Sequence, residues 1–247
     1  MQQNEIAKKA ESFIREFFDE AGKRTAVVGV SGGVDSAVVL ALCCRALGGK
    51  RVLAALLPSS ATPKKDLQDA EALAHQFKAR KFLFNISPVV RSFGKLASSR
   101  LSRANLSARV RMASLYALAQ RENGLVVGTG DKSEILLGYF TKYGDGAADL
   151  FPIGSLYKTQ VMELAKYLGI PQNIIQKPPS PSLWKGQTAQ SELGFSYFVA
   201  DRILEGIEKG EKRELLEKRF GKKAVAAVIS MVEKNRHKRL PAPICPL

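Results

Sequence analysis

A chain of 247 residues that is 45% hydrophobic is the size of one α/β domain with a full core, and it contains no apolar run near the roughly 20 residues of a membrane span. The first nine residues are polar, unlike a signal peptide, and Cys43, Cys44 and Cys245 have neither disulfide-framework nor zinc spacing; reduced thiols in the cytoplasm are expected, with Cys43 and Cys44 in the core. The formal charge of +15 favours anionic partners, among them nucleic acid and small polyanions such as ATP or dinucleotides, and is also compatible with a plain basic surface.

In chain order, Ile6, Ala10, Phe13, Ile14 and Phe17 recur at helical spacing and predict a helix over 4–20 that Gly22 ends. Strand-like apolar runs are predicted at 25–30, 51–57, 81–86 and 125–128, with helices at 36–47, 66–77 and about 105–120 between them. Residues 87–103 carry a weak pattern and are read as short helices or a mobile loop. Beyond Asp149 the chain is helical, over 157–168, 197–208, 211–219 and 222–234. A loop rich in Pro, Ser and Gly spans 177–191 and holds the single tryptophan, Trp184. Strands alternating with helices predict one doubly wound α/β domain, its parallel sheet having strand one in a central place and ligands at the strands' carboxyl ends. The expected organisation is an N-terminal helix (1–21), a parallel-sheet core (25–150) and a helical extension (151–247) ending in a basic tail.

The first strand runs into Gly29-Val30-Ser31-Gly32-Gly33-Val34-Asp35-Ser36 and then a helix. Strand, glycine-rich turn and helix make an anion site, because glycine lets the backbone approach a phosphate and the N–H groups of a helix start point at it. Ser31 and Ser36 add hydroxyls. Asp35 would repel a phosphate unless a divalent cation lay between them. The stretch lacks the Gly-Lys-Ser/Thr of a Walker A loop; a tight βα turn capped by Asp or Ser would also use these residues. Ser-Gly-Gly-Val-Asp-Ser resembles the pyrophosphate loop of ATP pyrophosphatases, which cleave ATP between its α and β phosphates.

Strand four leads into Gly128-Thr129-Gly130-Asp131-Lys132-Ser133-Glu134. Thr129 is placed at the strand tip, and Glu134, about one turn into the next helix, suits a second metal ligand. Asp131 or Ser133 could simply cap that helix. In the following stretch, Tyr139 and Phe140 suit a planar ring, Lys142 a carboxylate or phosphate, and Asp145 and Asp149 the hydroxyls of a ribose; a surface turn with solvated charges is the plainer reading.

Further motifs follow in order: Asn105 with Ala108-Arg109-Val110-Arg111-Met112 before strand four, then Lys158-Thr159-Gln160-Val161, Leu168-Gly169-Ile170-Pro171, Lys177-Pro178-Pro179-Ser180, Leu183-Trp184, Gly186-Gln187-Thr188, Glu192-Leu193-Gly194 with Tyr197, and His237-Lys238-Arg239. Over nearly the whole chain this resembles the NAD⁺ synthetase family. The resemblance implies an adenine nucleotide α-hydrolase-like fold and amidation of deamido-NAD⁺: ATP adenylates the nicotinate carboxylate, releasing pyrophosphate, and ammonia displaces AMP. It implies that Gly29, Val30, Ser31, Gly32, Gly33, Val34, Asp35 and Ser36 hold the ATP phosphates, with Thr129, Lys158 and Ser180 also on ATP. Asp35 and Glu134 would hold Mg²⁺. Arg109, Tyr139, Lys142, Asp149, His237 and Lys238 would contact deamido-NAD⁺. Asp35, Glu134, Asp145 and Lys158 would serve the chemistry, Asp145 and Tyr139 lying at the nicotinate end.

A carboxylate attacking an α-phosphate brings like charges together, so cations suit the reaction and no covalent nucleophile is needed. His75, on a helix, is read as an ordinary helix residue. Ala189-Gln190 stand where many relatives have an acidic pair and Pro181-Ser182 where Ala-Asp is common, which argues against the loop supplying carboxylates there. The resemblance further implies a homodimer with deamido-NAD⁺ at its interface, the helix bearing Arg109 being suited to it. Only residues 1–24 precede strand one, so free ammonia rather than glutamine is the expected nitrogen donor. A tRNA-thiolating pyrophosphatase and a non-catalytic nucleotide-binding protein are the rival readings; no RNA-binding module or membrane segment is evident.

Overall fold

The computed structural model describes residues 2–180, 184 and 187–245; Pro181, Ser182, Leu183 and Gly186, on which part of the sequence reading falls, lie outside the described residues. The elements run α1 (Gln3–Glu20), β1 (Thr25–Gly29), α2 (Val34–Leu47), β2 (Val52–Leu56), α3 (Lys64–Gln76), β3 (Arg80–Leu83), α4 (Ser87–Ser92), α5 (Arg100–Arg121), β4 (Gly124–Val127) and α6 (Lys132–Leu137). They continue with α7 (Lys158–Tyr167), α8 (Gln172–Ile175), α9 (Ala189–Leu193), α10 (Tyr197–Glu208), α11 (Arg213–Phe220), α12 (Lys222–Lys234) and α13 (Arg236–Arg239).

The strands form an all-parallel sheet in the order β3-β2-β1-β4, with β1 between β2 and β4 as the alternating pattern predicts. Successive strand side chains point to opposite faces. Ala26, Val28, Val52, Ala54, Leu56 and Val127 therefore pack with α1, α2, α3 and α7 on one face. Val27, Leu53, Ala55, Leu57 and Val126 meet Val110, Leu118 and Ala119 of α5 on the other. On α1, Ile14 and Phe18 are fully buried, each contributing about 1.5–3 kcal/mol by leaving water. A separate core joins Leu137 of α6 to Leu193, Ile203, Leu204, Leu216, Val225 and Val228. Cys43 is fully buried and Cys44 packs against the same core, as expected.

Several boundaries differ from the sequence reading for local reasons. Helix α5 begins at Arg100 rather than near Asn105, because Ser99 and Ser102 cap its start reciprocally: each hydroxyl accepts from the other residue's N–H at 3.0 Å. Only 87–97 is the short-helix region, comprising α4 and a 3₁₀ turn at Gly94–Ala97. β3 stops at Leu83 instead of Ile86. Past that point the edge chain keeps single bonds to Leu56 and Pro58, while Ile86 turns into the core. α2 starts at Val34, since Gly33 takes the extended cap conformation, and α3 at Lys64, following Pro63. α11 starts at Arg213, because Glu211 N–H turns back to the Gly206 carbonyl. The 177–191 loop contains the start of α9, whose cap Thr188 accepts from Ser191 N–H. No helix among the described residues is long and apolar enough to cross a membrane.

Candidate active site

The chain leaves β1 towards β2 and β3, then returns to β4 on β1's other side. The crossovers part at that point, which leaves a crevice at the strands' carboxyl ends. A cavity of about 490 Å³ lies there, and Gly29, Val30, Ser31, Asp35, Ser36, Thr129, Glu134, Tyr139, Asp145, Ser180 and Lys238 all line it. The two motifs that follow strands one and four thus share one cavity, as predicted.

The phosphate-type loop is held in shape from within. Ser36 Oγ accepts from Ser31 N–H at 3.2 Å and donates to the Gly33 carbonyl at 3.0 Å, and Gly33 N–H donates to Ser31 Oγ at 3.2 Å. Gly32 has φ +81°, and a Cβ there would lie 2.2 Å from the Asp66 carbonyl oxygen, so only glycine fits. Lys177 also braces the loop: its Nζ donates to the Gly32 carbonyl at 2.9 Å and pairs with Asp66 and Asp69, both at 2.7 Å. Ser180 Oγ donates to the Gln187 carbonyl at 2.7 Å.

Beside this loop Lys158 is 1% exposed, and its Nζ lies 2.7 Å from Asp35, 2.8 Å from Asp131 and 2.9 Å from Glu134. In this conformation it pairs with the acids and is not among the cavity-lining residues. Burial pushes the Asp131 carboxyl up to about 6, against the pull of Lys158 and with a push from Asp35. Burial likewise holds Glu134 well above the usual carboxylate range, Lys158 opposing and the other acids adding. Burial alone would lower Lys158, but three facing carboxylates outweigh it and hold the ammonium well above the usual lysine range.

The residues present fit a divalent cation. Oxygens of Asp35, Asp131 and Glu134 lie within 4.8 Å of one another, and buried Asp35 Oδ1 accepts no hydrogen bond. Three acids against one ammonium leave a formal excess of two negative charges, and carboxylate oxygens are the donors that Mg²⁺ takes.

On the cavity's other side Asp145 Oδ1 accepts from Thr141 N–H at 2.9 Å, and burial raises its pKa above the usual aspartate value. Tyr139 donates to Glu192, and burial followed by that bond pushes the phenol up. Lys238 lines the cavity, whereas Arg109, Lys142 and His237 are not in its lining but are linked to one another beside Lys238. Arg109 Nε donates to the Lys142 carbonyl at 3.3 Å, and Lys142 Nζ to the His237 carbonyl at 2.8 Å. Lys238 Nζ donates to the Gly138 and Phe140 carbonyls at 2.7 and 3.0 Å. Asp149 is not in the cavity lining; it sits on the free edge of β4, where Oδ2 accepts from Val126 N–H at 2.7 Å.

Sequence reasoning missed the part played by Asp131, Arg111 and Glu192. Asp131 is the cap it was read as, accepting from Glu134 N–H at 2.8 Å, and its other oxygen faces Lys158. Three-residue spacing from Glu134 at a helix start was the available signal. Arg111 lines the cavity and donates to the Leu57 carbonyl at 3.0 Å; helical spacing from Arg109 could not tell which arginine turns inward. Glu192, on α9, brings a carboxylate to the cavity although 189–190 carry none.

A model of the NAD synthase family matches residues 6–242. The chain is 47% identical to the NH(3)-dependent NAD(+) synthetase of Archaeoglobus fulgidus over 235 residues, covering 94% of this chain and 92% of that one. An NMN synthetase from Francisella tularensis has a superimposable structure, with TM-score 0.89 and 34% identity over the whole of both chains. An NH3-dependent NAD synthetase from Campylobacter jejuni gives TM-score 0.86 and 34% identity, again over both whole chains. With its sheet order, its loop at the end of β1 and this sequence match along nearly its full length, the chain belongs to the NAD synthase family.

Proposed function

We propose that this protein is an ammonia-dependent NAD⁺ synthetase, a ligase that joins ammonia to the nicotinate carboxylate of deamido-NAD⁺ at the expense of ATP. The observation that carries the reading is the meeting of the 29–36 loop with Asp35 and Glu134 in one cavity, backed by buried Asp131 and Lys158, in a chain 47% identical to an enzyme of that name. The whole chain acts as one synthetase unit. The N–H groups of the β1–α2 loop, with Ser31 and Ser36, bind the ATP phosphates; Thr129 and Ser180 line the nucleotide's part of the cavity. A nicotinate oxygen attacks the α-phosphorus and pyrophosphate leaves; neutral ammonia then attacks the acyl carbon and AMP leaves. Asp35 and Glu134 would hold Mg²⁺, which would supply positive charge to screen the phosphates and the departing pyrophosphate. Lys158 keeps the acids close together and adds positive charge beside the phosphates. Tyr139 and Asp145 hold the nicotinate end, and Arg109, Lys142, Asp149, His237 and Lys238 the rest of the dinucleotide. No residue forms a covalent bond to substrate.

The working form is a homodimer in the cytoplasm. Exposed Leu83, Phe84, Val89, Phe93, Leu96 and Leu101 lie on and beside the β3 edge and the start of α5, an apolar surface suited to a second copy. Two core thiols suit a reducing compartment: burial, chiefly, pushes Cys44 up to about 12, so its thiolate is scarce. The test is purified protein with ATP, Mg²⁺ and ammonium, given deamido-NAD⁺ or nicotinate mononucleotide. NAD⁺, AMP and pyrophosphate in equal amounts are expected. Faster turnover of the mononucleotide would move the assignment to an NMN synthetase, and glutamine supporting a comparable rate in ammonia-free solution would refute the nitrogen donor.

A further inference from the structure

Helix α7 starts at Lys158 without a side-chain cap from Tyr157, the residue before it. The first N–H groups of a helix have no acceptor within it, and here two other helices supply them. Lys158 N–H donates to Ser133 Oγ on α6 at 2.9 Å. Thr159 N–H donates to Asp201 Oδ2 on α10 at 2.9 Å. The same carboxylate closes the circuit, its Oδ1 accepting from Ser133 Oγ at 2.5 Å. Asp201 is 3% exposed and Ser133 fully buried, and neither lines the cavity. One side chain thus ties the first turn of α6, which carries Asp131 and Glu134, to the first turn of α7, which carries Lys158.

We propose that Asp201 is a positioning residue for the adenylation step, fixing Lys158 against Asp131 and Glu134 by tying Ser133 of α6 to the start of α7. The inference rests on the synthetase reading. Asp201 acts at one remove, because it touches the backbone and hydroxyl that aim the charged groups. Negative charge at two helix N-termini is favourable in itself, so a role in stability alone has to be distinguished from a role in placement.

Asp201→Asn keeps the volume but removes the charge and leaves one acceptor oxygen for two donors, Ser133 Oγ and Thr159 N–H, and the kinetic and metal readouts make the distinction. Ser133→Ala removes the bridge and leaves Asp201 on Thr159. Wild type, both variants and the double variant would be compared by steady-state NAD⁺ formation, Mn²⁺ titration followed by electron paramagnetic resonance, and thermal unfolding. Asp201→Asn is expected to lower kcat about 10–100-fold and to weaken Mn²⁺ binding about tenfold, with KM for deamido-NAD⁺ within about twofold. The double variant should be no worse than Asp201→Asn, because both break one link. Wild-type kcat and Mn²⁺ affinity in a variant that merely melts earlier would overturn the proposal. If Asp201→Asn does not fold, Ser133→Ala decides alone, an unchanged kcat and Mn²⁺ affinity being the contrary result. Failure of the wild type to form NAD⁺ refutes the synthetase reading; the Mn²⁺ titration needs no turnover and still reports on placement.

Discussion

The four charged groups at the mouth of β1 act as a unit, and removing any one changes the meaning of the rest. Asp35→Ala takes away the carboxylate whose Oδ1 is buried without a hydrogen bond. Pyrophosphate release should fall by at least about 100-fold, the scale on which electrostatic stabilisation of developing charge operates; near-normal release would remove Asp35 from the metal site. Lys158→Met leaves Asp131 and Glu134, with Asp35, facing one another without their ammonium. Breaking a buried ion pair from one side costs about 3–5 kcal/mol. Urea unfolding of the variant should therefore show a loss of that order, and a loss under about 1 kcal/mol would mean that the acids do not depend on Lys158. In the sequence these residues were legible to different degrees. Asp35 and Glu134 stood out because a carboxylate at a phosphate loop needs explaining. Asp131 was hidden by its second role as a helix cap, and Glu192 and Asp201 by lying some 60 residues further along the chain, on helices packed only by tertiary contacts.

At the scale of elements, the basic end of the chain is a clamp on α6. Arg239 Nη1 donates to the Leu136 carbonyl at 2.6 Å, Asn235 Nδ2 to Leu137 at 2.8 Å and Lys238 Nζ to Gly138 at 2.7 Å, so the carbonyls that the helix end leaves open are taken up from α12 and α13. Gly138 has φ +64°, and a Cβ on it would stand 2.2 Å from Asn235 Cβ. Gly138→Ala should push the clamp away, lowering the melting temperature and raising KM for deamido-NAD⁺ several-fold with a smaller change in KM for ATP. Equal KM values for mutant and wild type would separate the clamp from the dinucleotide. A second tie has a pH dependence. Burial works to raise Asp69, but hydrogen bonds and charge from Lys177 and Lys65 prevail and lower it below its usual value near 3.8. A carboxylate lowered in the folded state adds stability above its unfolded pKa and loses it as pH falls through the folded value. Asp69→Asn should therefore melt earlier than wild type at pH 6, and the gap should narrow as pH falls below about 3.8. A constant gap across that range would show that the Asp69 charge is not the source. The helices and strands that carry these contacts were largely readable from periodicity. The short helices α8, α9 and α13 were not, because one turn cannot set up a recognisable period and their ends depend on Thr188 and on packing.

For the whole molecule, alternating strands and helices were enough to place β1 inside a parallel sheet and to bring residues near positions 31 and 129 to one rim, because right-handed crossovers leave few other arrangements. Which faces stay exposed was not legible, since an apolar residue on an edge strand reads like one in the core. Leu96 is 85% exposed and Leu101 61% exposed, and the proposed homodimer predicts that both are covered. Light scattering should give about twice the chain mass, and Leu96→Asp with Leu101→Asp should give a folded monomer with impaired deamido-NAD⁺ binding. A wild-type monomer that keeps full activity on dilution would contradict the dimer. The central claim is that the carboxylate is activated as an adenylate inside this cavity, and oxygen tracing tests it most directly. Deamido-NAD⁺ labelled with ¹⁸O in the nicotinate carboxylate would be turned over with ATP, Mg²⁺ and ammonium, and the AMP analysed by mass spectrometry. One labelled oxygen should appear in the AMP phosphate for each NAD⁺ formed, with none in pyrophosphate. Label-free AMP, or ADP and phosphate in place of AMP and pyrophosphate, would contradict it.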